Sequence, residues 1–314
     1  MNPEIVLIVG PTAVGKTRLG ICLAERLSTE IISADAMQVY RGLDIGTAAP
    51  TPADRARVVH HLVGSSELTD QYSAAEFARD ARTIIDRLWA KGRIPVVVGG
   101  SGLYVRALVD GLFPGPAADA DIRARLNREA AEQGVESLHN RLAAVDPESA
   151  ARIAVKDLRR IVRALEVFEL TGVPISEMQK THKITTKTDG LLSHRFGLDM
   201  DRTALYARID ERVEKMCGLG FIEEVRGLVE TGHTADLERI GALGYREMMA
   251  YLRGETDLET AKSLMARNTR RYAKRQMTWF RKDKRIKWLT VTDTTDFNEL
   301  ADTVVKDVLQ AQKG

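Results

Sequence analysis

The stretch Gly10-Pro11-Thr12-Ala13-Val14-Gly15-Lys16-Thr17 constrains this chain more than any other part of it. It satisfies G-x-x-x-x-G-K-[ST], a phosphate-binding loop that needs a strand to deliver the chain into a tight turn and a helix to carry it away. Both flanks comply. Residues 4–9, EIVLIV, read as a buried strand, and Leu19, Leu23 and Leu27 recur at i, i+4 and i+8 of a helix. The N–H groups of such a turn converge on phosphate oxygens, and the helix N-terminus adds its dipole. Lys16 supplies a point charge, and the Thr17 hydroxyl is placed to ligate Mg²⁺.

The rest of the N-terminal third keeps the same rhythm. EIIS at 30–33 reads as a short strand ending at Asp35, and Ser73 to Lys91 as a helix with Ser73 and Glu76 placed for a capping box. RIPVVVGG, entered through Gly92, reads as a third strand. Strands alternating with helices predict an α/β fold, a P-loop NTPase-like parallel sheet flanked by helices. At FPGPAADAD, 113–121, Pro and Gly break the pattern, and from about 119 to 180 the reading is purely helical, followed by a polar linker KITTKTDG, 183–190. A strand returns near 193–200, then a helix with Asp201 as its N-cap. The expected organisation is a core of 1–115 and 195–314, ending in a basic helical segment, with an inserted all-helical domain over 116–194.

No apolar run approaches the roughly 18 residues of a membrane-spanning helix, and MNPE carries no basic export region, so the expectation is a cytoplasmic protein without membrane contact. Cys22 and Cys217 form no metal-spaced pair and are expected as reduced thiols; the adjacent His60 and His61 are expected to be structural. Net charge is only +2, but residues 267–287 hold ten Lys or Arg against Asp283, a local +9 that leaves −7 for the remainder. A basic segment on an otherwise acidic chain points to a polyanionic partner.

The loop alone leaves open whose phosphate it holds. A nucleotide hydrolase also needs a strand-end Asp to anchor Mg²⁺ and position water. The strand IPVVV ends instead in Gly99-Gly100-Ser101-Gly102, and the acid at a strand end near the loop is Asp35. As a metal anchor Asp35 would make this an NTPase or small-molecule kinase; with another role, the phosphate belongs to something else.

Seven stretches narrow the choice: GPTAVGKT, IISADAMQVYRGLDIGTAAP, VVVGGSGLYVRAL, DLRRIVRALEVFELTG, LYARIDERV, GALGYREM and RRYAKRQMTWFR, in that order. Together, over about residues 5–290, they resemble the tRNA dimethylallyltransferases of the IPP transferase family. The resemblance implies transfer of a dimethylallyl group from dimethylallyl diphosphate to N6 of adenine 37, beside the anticodon of tRNA, with release of diphosphate. It also implies a monomer, Mg²⁺ on Thr17, and diphosphate held by Lys16, Thr12 and the amides of Gly10 through Thr17. By the same resemblance Asp35 is the general base, Arg212 reaches the diphosphate, and Ser101 meets the target nucleotide. Ser101 stands where the family mostly has Thr, Ala36 where Ser is common, and Ala49 where GTAKP is usual.

The resemblance assigns tRNA contacts to Asp35, Ala36, Met37 and Gln38, to Ser101 and Arg123, to Arg159, Arg160, Ile161, Val162 and Arg163, and to Gly241, Ala242, Leu243, Gly244, Tyr245 and Arg246. Spacing adds that Lys156, Arg159, Arg160 and Arg163 form one basic stripe beside an apolar one of Leu158, Ile161, Val162 and Leu165. Arg267, Arg270, Arg271 and Lys274 repeat that spacing, with Tyr272, Trp279 and Phe280 nearby read first as core and second as base-stacking residues. Three rivals remain: a small-molecule kinase, a transferase acting on free adenine nucleotides, and an RNA-binding nucleotide switch without chemistry. The basic segment argues for polymeric RNA.

Overall fold

Among the described residues, six parallel strands form the sheet that the phosphate loop requires. The computed structural model describes residues 3–113, 115–185 and 191–311. The strands are β1 Glu4–Val9, β2 Ile31–Ala34, β3 His60–His61, β4 Val96–Gly99, β5 Leu192–Asp199 and β6 Lys287–Thr290, in the order β3-β2-β4-β1-β5-β6. β1 and β4 are buried along almost their whole length, as the central strands of a sheet covered on both faces must be. Their apolar runs therefore do not alternate.

The helices are α1 Lys16–Arg26, α2 Pro52–Arg57, α3 Ala74–Trp89, α4 Gly102–Asp110, α5 Ala120–Gln133, α6 Val135–Val145, α7 Pro147–Arg152, α8 Leu158–Thr171, α9 Ile175–Thr185, α10 Arg202–Gly218, α11 Phe221–Glu230, α12 Thr234–Ile240, α13 Tyr245–Leu252, α14 Leu258–Phe280 and α15 Phe297–Ala311. The capping box of α3 forms: Glu76 N–H donates to Ser73 Oγ at 3.2 Å, and Ser73 N–H to Glu76 Oε2 at 2.7 Å. Asp201 caps α10 by accepting the N–H groups of Thr203 and Ala204.

Two strands lie where the sequence reading had none. His60–His61 pairs with β2, and Lys287–Thr290 pairs with the far edge of β5. The C-terminal basic segment is thus not all helical: α14 ends at Phe280 and the chain turns into β6. His61 hydrogen-bonds Glu30, which also meets Arg87 and Arg93. The histidine pair finishes the sheet's edge, as a structural role requires. Of the polar linker, 183–185 continue α9, and 186–190 lie outside the described residues.

The chain divides into two units, 1–109 with 191–314, and 110–190. Phe113 packs on the helical core of the second unit, and Leu191 leads into β5 of the first, which is where the divisions fall. In the first unit, β1, β4 and β5 pack against α1 and α15 through residues such as Ile8, Leu19, Val98 and Val304. A further cluster joins α10, α11, α13 and α14 around Phe221 and Tyr245. In the second unit, α5, α6 and α8 close around Leu126, Leu138, Leu142, Ile161 and Leu165.

Candidate active site

Three loops meet because three strands end together. Val9 of β1 lies opposite Gly99 of β4, and Gly99 opposite Ala34 of β2. The phosphate loop, the Ser101 loop and Asp35 therefore leave the sheet side by side at its carboxyl end, where open parallel sheets bind ligands. The loop has the conformation its motif predicts. Ala13 is left-handed at φ 67°, and Gly15, at φ 104°, starts α1. A Cβ at Gly15 would come within 2.5 Å of the Phe297 ring, so α15 supports the loop from beneath at a position only glycine can take.

Lys16 Nζ donates to Pro11 O at 2.6 Å. Its pKa falls to about 7, chiefly because burial strips the ammonium of water; Asp35 acts in the opposite sense and Arg212 in the same one. Arg212, from α10, donates to Thr47 O at 3.3 Å, and its pKa too is depressed by burial against the opposing pull of Asp35. Asp35 closes the charge group. Its Oδ1 accepts the N–H of Met37 at 2.9 Å and of Gln38 at 3.4 Å, which fixes the carboxylate plane through its own turn. Among the described residues no hydrogen bond engages Oδ2.

Asp35 and Arg212 border a cavity of about 260 Å³. Thr12, Asp35, Thr47, Ser101, Arg212, Tyr272 and Arg275 contribute polar lining, and Ile209, Val213, Met216, Leu243 and Met265 contribute apolar lining. Such a mixture suits a substrate with a charged end and a hydrocarbon end. Tyr272, one of the aromatics read first as core, borders this cavity, and burial and Asp35 push its phenol upward. Trp279 is 36% exposed and packs against Gly102; of the three aromatics only Phe280 is buried in the core.

Not every expected contact is available in the form the sequence suggested. The Thr12 amide, expected to face phosphate, donates to Gln276 Oε1 at 2.8 Å. Ser101 Oγ accepts the Ala36 N–H at 2.9 Å and meets the Tyr272 hydroxyl, so it braces the Asp35 turn. The Gln38 side chain is used internally, between Ser33 Oγ and the carbonyls of Thr47 and Ala48. Gly241, Ala242 and Leu243 line the cavity, Arg246 is exposed, and Gly244 and Tyr245 are buried, with the Tyr245 hydroxyl on Glu224. Ala36 and Met37 line the cavity beside Asp35.

In the second unit the basic stripe divides. Lys156 precedes α8, whose N-cap is Asp157. Ile161 and Val162 are buried, which commits their side chains to the core. Arg123 and Arg163 both grip the fully buried Glu166, at 2.7 and 2.6 Å, and Arg163 also donates to Pro116 O. Burial alone would raise the Glu166 pKa, but the two guanidiniums and the Asp119 N–H bring it below the ordinary range. Arg159 and Arg160 stay exposed; Arg160 makes a 3.4 Å ion pair with Asp157.

The reading of the sequence passed over Thr47, Glu224 and Gln276. Glu224 accepts the N–H groups of Asp44, Ile45 and Gly46, and so holds the loop whose Thr47 carbonyl receives Arg212. Only spacing hinted at Gln276: Tyr272, Arg275, Gln276 and Trp279 fall at i, i+3, i+4 and i+7 on one face of α14.

The model of the family described as IPP transferase matches residues 38–283. The tRNA dimethylallyltransferase of Geobacter sulfurreducens is 49% identical over 286 residues, covering 91% of each chain. That of Symbiobacterium thermophilum is 48% identical, covering 98% of this chain and 95% of its own. A crystal structure of the full-length tRNA isopentenylpyrophosphate transferase from Bacillus halodurans, 38% identical, superposes with a TM-score of 0.70 over 99% of this chain and 98% of that one. A eukaryotic dimethylallyltransferase captured acting on tRNA, 24% identical, shares the fold with a TM-score of 0.80 over 98% of this chain and 80% of that one.

Proposed function

The chain belongs to the IPP transferase family, and from that premise we propose that it transfers a dimethylallyl group from dimethylallyl diphosphate to N6 of adenine 37 in tRNA, releasing diphosphate. The observation that carries this reading is a cavity that brings Thr12 of the phosphate loop, Asp35 and Arg212 together with the apolar Ile209, Val213, Met216 and Met265.

The chemistry follows from those groups. The N6 lone pair is delocalised into the adenine ring, so the amine is a poor nucleophile until its proton is drawn away. Asp35 Oδ2 accepts that proton; such general-base help is typically worth about 10² to 10⁴ in rate. The N6 electron pair forms the bond to the terminal allylic carbon as the bond from that carbon to the diphosphate oxygen breaks, and its electron pair leaves with the diphosphate. Lys16, Arg212 and the loop amides other than Thr12 N–H stabilise the charge that develops there. The apolar lining residues hold the alkenyl chain and keep water from the allylic carbon.

The donor set at the start of α1 fits Mg²⁺. The Thr17 hydroxyl has no hydrogen-bond partner among the described residues, and Mg²⁺ characteristically takes one or two protein oxygens together with phosphate oxygens and waters. When bound, the ion would supply further neutralisation of the diphosphate. The extruded base enters beside Asp35, at the cost of a few kcal/mol for unstacking in a loop already single-stranded. RNA phosphates meet Arg159 and Arg160 on the helical unit and Arg267, Arg271 and Lys274 on α14. We place the protein in the cytoplasm with its tRNA, acting as a monomer.

The test is direct. Incubate the protein with Mg²⁺, radiolabelled dimethylallyl diphosphate and unmodified tRNA whose anticodon ends in A, and follow label into RNA. Transfer is expected; no label in tRNA together with phosphate release from ATP would instead mark a nucleotide hydrolase or kinase.

A further inference from the structure

Gln276, on α14, reaches both the phosphate loop and the loop after β4 with one side chain. It is 5% exposed and uses both ends of its amide. Oε1 accepts the Thr12 N–H at 2.8 Å, and Nε2 donates to Gly100 O at 3.0 Å. A Cβ on Gly100 would fall 2.1 Å from Nε2, so this close approach needs glycine there.

From Gly100 the connection continues without a gap. Ser101 N–H donates to Ala34 O at 3.2 Å, Ser101 Oγ accepts the Ala36 N–H at 2.9 Å, and Asp35 sits between those two residues with Oδ1 on its own turn. Hydrogen bonds and peptide bonds alone thus link the cradle for the leaving group to the carboxylate that takes the proton. No other side chain among the described residues bonds to both loops.

We propose that Gln276 is a positioning residue for prenyl transfer, which sets the separation between the diphosphate cradle and the Asp35 carboxylate. The assignment deepens the functional reading above and rests on it. Displacement at the allylic carbon needs the attacking nitrogen, the carbon and the leaving oxygen in line, with reacting atoms roughly 3–3.5 Å apart, and a misplacement of about 1 Å costs about 10²-fold. A residue in this role must accept from one loop and donate to the other. Leucine does neither, and asparagine falls one methylene short. Glutamate can accept from Thr12, but when ionised its second oxygen faces the Gly100 carbonyl and repels it.

Single-turnover transfer with the full chain, labelled dimethylallyl diphosphate and unmodified tRNA separates these cases. Gln276→Leu, Gln276→Asn and Gln276→Glu are each expected to lower the transfer rate about 10²-fold at pH 8. The tRNA Kd and the KM for dimethylallyl diphosphate should stay within a factor of a few of the parent's. As the pH is lowered to about 5, the ratio of Q276E to parent should climb, because a protonated carboxyl can donate to Gly100 O, while the ratio of Q276L to parent stays flat. Dividing by the parent at each pH removes every pH effect the two proteins share. A parental rate in Q276L overturns the assignment. So does a loss of both substrate affinities as large as the loss of rate, or a Q276E ratio as flat as that of Q276L, either of which marks a merely structural contact. A parent that puts no label into tRNA overturns the functional reading itself, and the assignment with it.

Discussion

Lys16 makes the affinity for the leaving group depend on pH in a direction the structure dictates. Burial is the main reason its pKa drops to about 7, with Arg212 adding to the depression. A bound diphosphate places negative charge beside the ammonium and raises the pKa again. Below pH 7 the lysine is charged both with and without ligand, and affinity is at its full value. Above pH 7 binding must be accompanied by uptake of a proton, so affinity falls by about tenfold per pH unit until the pKa of the complex is reached. At pH 9 the accumulated loss is about 10²-fold. Calorimetric titration with a non-reactive thiolo analogue of dimethylallyl diphosphate, from pH 6 to pH 9, measures this. Buffers of different ionisation enthalpy report the proton uptake, which should approach one per ligand near pH 8.5. Because the ligand titrates as well, the comparison is with Lys16→Met, which lacks the group and should bind more weakly with a shallower pH dependence. Parallel curves for parent and variant would refute the argument.

Three other outcomes are expected. Asp35→Asn keeps the shape and the acceptor for the Met37 and Gln38 amides, so filter-binding affinity for tRNA should be retained while single-turnover transfer falls about 10² to 10⁴-fold; equal losses in both would show that Asp35 holds RNA and does not move the proton. Replacing Arg159 and Arg160 together by Ala should reduce the slope of log affinity against log salt by about 1.4 if each meets one single-strand phosphate, and an unchanged slope would place the RNA elsewhere. Glu166→Gln removes the fully buried charge that Arg123 and Arg163 hold, and should cost about 2 kcal/mol in urea unfolding at neutral pH, because the guanidiniums left behind are themselves partly in water. The folded-state pKa of Glu166 lies below its unfolded value of 4.5, so its contribution is complete above that value and disappears as pH falls through the folded one. The gap between parent and variant should therefore close in acid; a gap that persists would mean that lost packing, not charge, is being measured.

Much of the fold could be read without coordinates, because its signals are local. The phosphate loop needs a strand before it and a helix after it, and β1 and α1 are both there. The caps at Ser73 and Asp201 are set by residues within a turn of each other. The two missed strands are short edge strands, which carry little hydrophobic pattern of their own and exist through pairing with β2 and β5.

At the site the division is sharper. The sequence by itself determined which chemistry could be present: a loop that binds phosphate, a carboxylate at a strand end, an arginine on α10 and a basic α14. Only the tertiary structure decided how those groups are shared between substrate and scaffold. Arg123 and Arg163 carry the same charge as Arg159 and Arg160, yet Glu166, remote from Arg123 in sequence, takes up the first pair and leaves the second to solvent. The Thr12 amide belongs to the phosphate motif, yet it is held by a glutamine 264 residues away. A hydrogen bond depends on where two groups come to lie after packing, and residue type and spacing along the chain record only what each group is able to offer.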